Sequence, residues 1–232
     1  MKLLNWDQLP CSMQSKEVKV YYDIIKKKRC ALWIKRLFDL VVSSIMLILV
    51  SPILLVLSVM IKMDSEGPVF YRQERITTYG KTFRIFKFRT MVINADKIGA
   101  LVTTGNDPRI TKVGSKIRKY RLDELPQLIN IFLGDMSFVG TRPEVKKYVD
   151  AYSDEMMATL LLPAGVTSLA SIKYKDEDEI ISKYTKEGMS VDDVYIQKVL
   201  PEKMKYNLDY VKEFSFIKDI VLMIQTVFAV LK

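Results

Sequence analysis

The chain has 232 residues, with 36 Lys plus Arg against 27 Asp plus Glu for a net charge of +9, and it contains no histidine. The missing histidine excludes a Ser-His dyad, a histidine base and any histidine-containing metal centre, leaving carboxylates, Lys and Arg for chemistry. The positive balance favours anionic partners such as lipid headgroups, nucleotides and phosphorylated lipids, and with no nucleic-acid module beside the charges, nucleic acid is not an expected partner.

Residues 1–34 read as a polar arm. Val18, Tyr21, Tyr22 and Ile25 recur at helical spacing, and the basic run Lys26-Lys27-Lys28-Arg29 follows. A surface arm is expected, its basic run either near lipid phosphates or simply solvated. Met1 to Leu9 has no apolar core of a signal peptide, so no cleaved leader is expected. Cys11 and Cys30 lie 19 apart, which is no metal-ligand or redox spacing.

From Leu40 to Ile61 there are 22 residues without a charge, long enough to enter a bilayer. Proline at position 52 deprives the Ile48 carbonyl of its helical partner. Each half, on either side of Ser51-Pro52, is roughly 15 to 18 Å long, about half of a hydrocarbon core roughly 30 Å thick. Two readings are open here: a hairpin that dips in and returns, or a spanning helix with a kink at which Ser51 satisfies the freed carbonyl. Both flanks are positive, so the charge asymmetry of a spanning helix is missing.

After Gly67-Pro68, the runs VFYRQERI and KTFRIFKFRTM around Thr77 to Gly80 predict a β-hairpin. Alternation sends Lys87 and Arg89 to one face and Phe86 and Phe88 to the other. Asn94 to Gly105 reads as helix, Asn106-Asp107-Pro108 as a turn, and Lys112 to Tyr120 as a basic helix. In RLDELPQLINIFLGD, Leu125, Leu128, Ile129 and Phe132 form an apolar stripe with Gly134 as its stop. Pro126 belongs in a first turn, which places Asp123 at or beside the N-cap.

Asp123 and Glu124 are adjacent carboxylates among cations, with Arg118 and Arg121 just before them. By itself Asp123 could be an ordinary cap; in this company the pair suits a divalent ion and phosphate, since Mg²⁺ favours one or two carboxylates plus substrate phosphates. Farther on, Gly140 allows a turn and Arg142 is restricted by Pro143, an arrangement open to bidentate phosphate contact or to a plain surface turn. Asp176 to Glu179 is expected to be a solvated acidic face and not a metal site. The C-terminal FIKDIVLMIQTVFAVLK places Ile217, Ile220, Val221, Ile224, Val227, Phe228 and Leu231 on one side, predicting a helix in the membrane interface or packed under the hairpin.

Taken in order, the apolar segment broken at Ser51-Pro52, FKFRTM (Phe86 to Met91), RKYRLDELPQL (Arg118 to Leu128) and GDMSFVGTRPE (Gly134 to Glu144) closely resemble the bacterial sugar transferases, the monotopic phosphoglycosyl transferases. The resemblance runs from about Lys35 to the C-terminus. It implies an α+β, mostly helical, monotopic protein: arm 1–34, re-entrant helix-break-helix 35–63, and a cytoplasm-facing catalytic domain 64–232 on the bacterial inner membrane. It also implies transfer of a sugar 1-phosphate from a UDP-sugar to undecaprenyl phosphate, releasing UMP, at the start of capsule, exopolysaccharide or other glycan assembly. Asp123 matches the family's nucleophile, with Glu124 and Mg²⁺ beside it, and Arg118 and Arg142 match phosphate-binding positions. Lys87 and Arg89, from the basic face of the hairpin, complete the expected phosphate-binding set. Two departures limit the carry-over: Thr141 stands where the family usually has proline, and Leu162 to Glu179 lacks the usual Trp and Asn-Gly-Arg, in a region expected to lie near the donor. The rivals are a glycosyltransferase releasing UDP and a basic membrane scaffold.

Overall fold

The computed structural model describes residues 1–95, 107–174 and 177–231, so the helix expected from Asn94 to Gly105 falls almost wholly outside the described residues. Helix α1 (Lys16–Lys26) is capped by Ser15, whose Oγ accepts from the Val18 amide at 3.2 Å. Its periodic face, Val18, Tyr21, Tyr22 and Ile25, is buried together with Leu3, Leu9 and Met13 against Leu160 to Leu162, Tyr210, Val211 and Phe214. These N-terminal residues therefore form part of the core and not the surface arm expected from their polarity. Four apolar side chains at helical spacing outweigh the mean composition of the segment.

Helix α2 (Arg29–Asp64) runs 36 residues without interruption, with Pro52 inside it. The break expected at Ser51-Pro52 is thus not an interruption of the helix. Ser51 Oγ donates to the Ile48 carbonyl at 2.8 Å, replacing the donor that proline lacks. One face is covered by the rest of the chain: Met46, Leu47 and Val50 lie on Phe83, Ile85, Leu128 and Ile131, while Leu57 and Ile61 lie on Phe88 and Ile117. The opposite face stays bare, with Ile48 73%, Leu49 70% and Leu55 67% exposed.

Both ends of α2 are tied to the same body. Near its start Lys35 Nζ donates to Asp219 Oδ2 at 2.6 Å and to the Val139 carbonyl at 2.8 Å. Arg36 donates to the carbonyls of Ile131 and Phe132 at 2.6 and 2.8 Å, and Asp39 Oδ1 accepts from the Phe138 amide at 3.2 Å. At the far end Asp64 Oδ2 accepts from the Val113 amide at 2.9 Å. These contacts fix the helix along its length, whatever its own propensity supplies.

The expected hairpin forms as two short antiparallel ladders: β1 (Phe70–Tyr71) with β4 (Lys87–Phe88), and β2 (Glu74–Ile76) with β3 (Thr82–Arg84). Helix α3 (Lys112–Lys119) matches the basic run, and α4 (Gln127–Leu133) ends at Gly134, whose φ of 92° is the left-handed stop. The buried side of α4 is Gln127, Leu128, Asn130 and Ile131, so the predicted stripe is displaced: Phe132 points out, 43% exposed. Asn130 causes the shift by turning inward, where its side chain accepts from the Phe86 amide at 2.7 Å and donates to the Arg84 carbonyl at 3.0 Å.

A parallel pair not foreseen from the sequence joins β5 (Met136–Val139) to β6 (Ala164–Thr167), with the four-residue helix α5 (Lys146–Val149) in the crossover. Gly140 serves this contact and not a turn, because a Cβ there would overlap the Pro163 carbonyl oxygen. After α6 (Leu169–Lys173), α7 (Glu177–Lys186) and α8 (Val191–Val194), a π turn at Tyr195–Val199 leads into α9 (Leu200–Lys212). Glu177, expected in a solvated acidic face, pairs with Lys203 at 3.1 Å. The last helix, α10 (Phe216–Leu231), buries Asp219 and Leu222 and leaves Ile217, Val221, Ile224, Val227 and Phe228 exposed.

Candidate active site

The site is assembled where α3 turns back. Arg121 adopts the left-handed conformation at φ 53°, which reverses the chain into a 3-10 turn, Leu122–Glu124. That conformation costs a non-glycine residue about 1–2 kcal/mol, and such local strain collects at functional sites. Asp123 therefore lies inside this turn and not at the N-cap of α4, where Pro126 stands. Its neighbour in space is a cation and not a row of free helix amides.

That cation is Lys87, placed by the β1–β4 ladder opposite Tyr71. Lys87 Nζ is 2.9 Å from Asp123 Oδ2 and 3.7 Å from Glu124 Oε1, and Arg142 Nη2 donates to Glu124 Oε1 at 2.9 Å. Asp123 is only 4% exposed. Burial alone would raise the Glu124 pKa, but the charges of Arg142 and Lys87 outweigh it and hold the carboxyl at about 2. Both carboxylates are accordingly bracketed by cations, and Glu124 is ionised throughout the physiological range.

In front of this cluster opens a cavity of about 490 Å³, within the range of small-molecule sites. Its walls come from the hairpin, the segment before α3, Arg118, Gln127 and Arg142-Pro143. Seven cations, Arg72, Arg75, Lys87, Arg89, Arg109, Arg118 and Arg142, stand in the wall, and among the described residues no carboxylate lines it. Arg75 is oriented by the Pro143 carbonyl at 3.1 Å and Gln73 Oε1 at 2.6 Å, and the Arg72 guanidinium lies 3.4 Å over the Phe86 ring. Sequence reading missed Arg72 and Arg75, although two arginines within one predicted strand were the available signal.

The structure gathers Lys87, Arg118, Asp123, Glu124 and Arg142 around one place. It assigns Arg89 differently. The Arg89 guanidinium donates to the carbonyls of Glu66 and Ser65 and to Ser65 Oγ, closing the C-terminal end of α2. Arg89 is one of the lining residues, but its guanidinium is engaged by the end of α2, so the expectation of a phosphate ligand is corrected. Likewise Leu162 to Tyr174, expected near the donor, contributes no residue to the cavity wall; its residues Ala164 to Thr167 pair with β5 as β6.

Among the described residues no three His, Cys, Asp or Glu side chains cluster as a metal site. Asp123 and Glu124 offer two carboxylates whose Oδ2 and Oε1 face cations. Such a pair fits Mg²⁺ when substrate phosphates complete the coordination, and does not fit a closed protein cage.

Comparison with known proteins bears on this arrangement. The family model for bacterial sugar transferases matches residues 30–232. The chain belongs to the bacterial sugar transferase family. The match covers α2, the hairpin, the carboxylate turn and α10 but leaves out α1 and the residues before it. A UDP-N-acetylgalactosamine-undecaprenyl-phosphate N-acetylgalactosaminephosphotransferase of Aeromonas hydrophila is 34% identical over 202 residues, 86% of this chain and 44% of that protein. A UDP-glucose:undecaprenyl-phosphate glucose-1-phosphate transferase of Klebsiella pneumoniae is 37% identical over 200 residues, 84% of this chain and 39% of the relative. The exopolysaccharide production protein ExoY of Rhizobium meliloti is 32% identical over 211 residues, 84% of each chain. This member of the family thus spans less than half the length of the first two relatives and most of the third.

Proposed function

We propose that the protein transfers a sugar 1-phosphate from a UDP-sugar to undecaprenyl phosphate in the assembly of a bacterial surface glycan. The observation that carries this reading is the buried Asp123, 2.9 Å from Lys87, behind a cavity walled by cations. The named activities of the relatives support the substrate class.

In this reading the diphosphate of the donor lies against Arg118, Arg142 and Arg75, which neutralise its charge. An Asp123 carboxylate oxygen attacks the phosphorus that bears the sugar, and the bond to the bridging oxygen breaks, releasing UMP. A phosphate oxygen of the lipid then attacks the same phosphorus, and the bond to Asp123 breaks. Two anionic substrates that repel each other thereby react in turn. Lys87 orients Asp123, and Glu124 holds Arg142 in place. Asp123 and Glu124 would hold Mg²⁺, which would supply further charge neutralisation, and chelation is expected to abolish turnover.

The two tethered ends of α2, with one face of its middle also packed on the body, support an anchor that enters the bilayer from one side, since a spanning helix would carry its ends to opposite faces. The catalytic body then sits on the cytoplasmic face. Cys30, which is exposed, and a cysteine placed at Lys112 should be labelled from the cytoplasmic side only; labelling of either from outside would reject this topology.

The functional test is incubation of the membrane-embedded protein with undecaprenyl phosphate and a panel of UDP-glucose, UDP-galactose and UDP-N-acetylgalactosamine, assaying nucleotide release. UMP is expected from at least one donor and should vanish in Asp123→Asn, which still folds and inserts. Release of UDP would favour a glycosyltransferase, and release of neither nucleotide a non-enzymatic scaffold.

A further inference from the structure

Gln127 is the first residue of α4, one helical turn after Asp123. It is 3% exposed, and it stands in the wall of the cavity, so the little surface it keeps opens there. Among the described residues its side-chain amide has no hydrogen-bond partner. The other glutamine of the wall, Gln73, is engaged by Arg75 at 2.6 Å. The amide is not among the side-chain groups sealed from solvent without a partner, so it opens to the cavity and is available to a ligand there. The surrounding cations are suited to phosphate oxygens, whereas an amide presents one acceptor and two donors without charge and is suited to a neutral polar group.

Resting on the proposed transfer reaction, we infer that Gln127 is a specificity-determining residue that hydrogen-bonds a hydroxyl or acylamino group on the sugar ring of the donor. Position selects the sugar over the base. The phosphorus attacked by Asp123 must lie at that carboxylate, and the sugar is joined to this phosphorus through a single oxygen. The uracil lies beyond the second phosphate and the ribose. A side chain rooted one turn from Asp123 therefore meets the sugar first. No residue of the divergent Leu162 to Tyr174 segment lines the cavity, so discrimination falls to wall residues such as this one.

The test is calorimetric binding of UDP, UDP-glucose and UDP-N-acetylgalactosamine to detergent-solubilised full-length protein, with Asp123→Asn as the background to prevent turnover. Gln127→Met keeps the volume and removes the amide. It should weaken the preferred UDP-sugar about tenfold, the loss of one neutral hydrogen bond, and leave UDP unchanged. Gln127→Asn retains the amide on a shorter stem and should show the same selective loss, which guards against misfolding of the first variant. An equal loss for UDP and UDP-sugar, or no loss, in whichever variant folds overturns the assignment. Absence of UMP release by the unmodified protein would reject the transfer reaction itself. Normal release together with unselective binding changes would reject only the role of Gln127.

Discussion

Replacing Lys35 by methionine tests how the apolar helix is fastened to the rest of the molecule. Lys35 is 3% exposed, and its ammonium lies 2.6 Å from Asp219 and 2.8 Å from the Val139 carbonyl, with Asp39 also buried beside it. Methionine matches the length of the stem but leaves the Asp219 carboxyl without its cation and removes one of the two cations that act on Asp39. Breaking a buried pair in this way costs about 3–5 kcal/mol. At about 2–4 °C per kcal/mol for a protein of this size, the melting temperature should fall by about 6–20 °C. Neutralising the partner as well, in Lys35→Met combined with Asp219→Asn, should recover a large part of that loss, because Tyr210 still meets position 219 at 3.0 Å and the uncompensated charge there is gone. The assay is thermal unfolding in detergent followed by intrinsic fluorescence. A drop below about 2 °C in the single variant, or a double variant as unstable as the sum of both single changes, would refute the view that this ion pair secures the helix.

Lys87→Met should lower the rate of UMP release by about 10²–10³-fold, the scale for losing one preorganised electrostatic contact, and single-turnover nucleotide release measures it. Glu124 carries a pKa depressed to about 2, so its ion pairs contribute fully above its ordinary value of 4.5 and are lost only as pH falls toward 2. Arg142→Gln should move that loss to higher pH, visible in the acid limb of the melting temperature against pH. Thr141 Oγ1 is buried without a hydrogen-bond partner, so Thr141→Val should be neutral or stabilise by about 1 kcal/mol in the same melting assay. Ser51→Ala should cost about 1–2 kcal/mol by leaving the Ile48 carbonyl unpaired, and Ser51→Thr should restore it.

What the sequence disclosed follows from how local each signal is. The hairpin was legible because alternation and the Thr77 to Gly80 turn lie within one short stretch, and α3 and the stop at Gly134 for the same reason. The Asp123-Glu124 pair was legible as chemistry, but not its setting, since the left-handed Arg121 that moves Asp123 away from a helix cap has no signature in residue type. Arg89 looked interchangeable with Lys87, two positions away on the same strand face. Only the packing of α2 shows that its guanidinium closes the end of that helix. The β5–β6 pair, joining residues far apart in the chain, left no periodic trace strong enough to read, and the phase of α4 was set by the inward Asn130, a polar residue that apolar counting discards.

The N-terminal 28 residues carry a practical meaning for how this unit is delimited. They stand before the family match, yet their leucines, tyrosines and methionine are interleaved with the side chains of α9 and α10. A fragment cut at the start of the shared similarity would expose those two helices along a seam that the family comparison does not mark. Any graft of this catalytic unit onto another protein therefore has to carry its own leading residues with it, as a keystone travels with its arch.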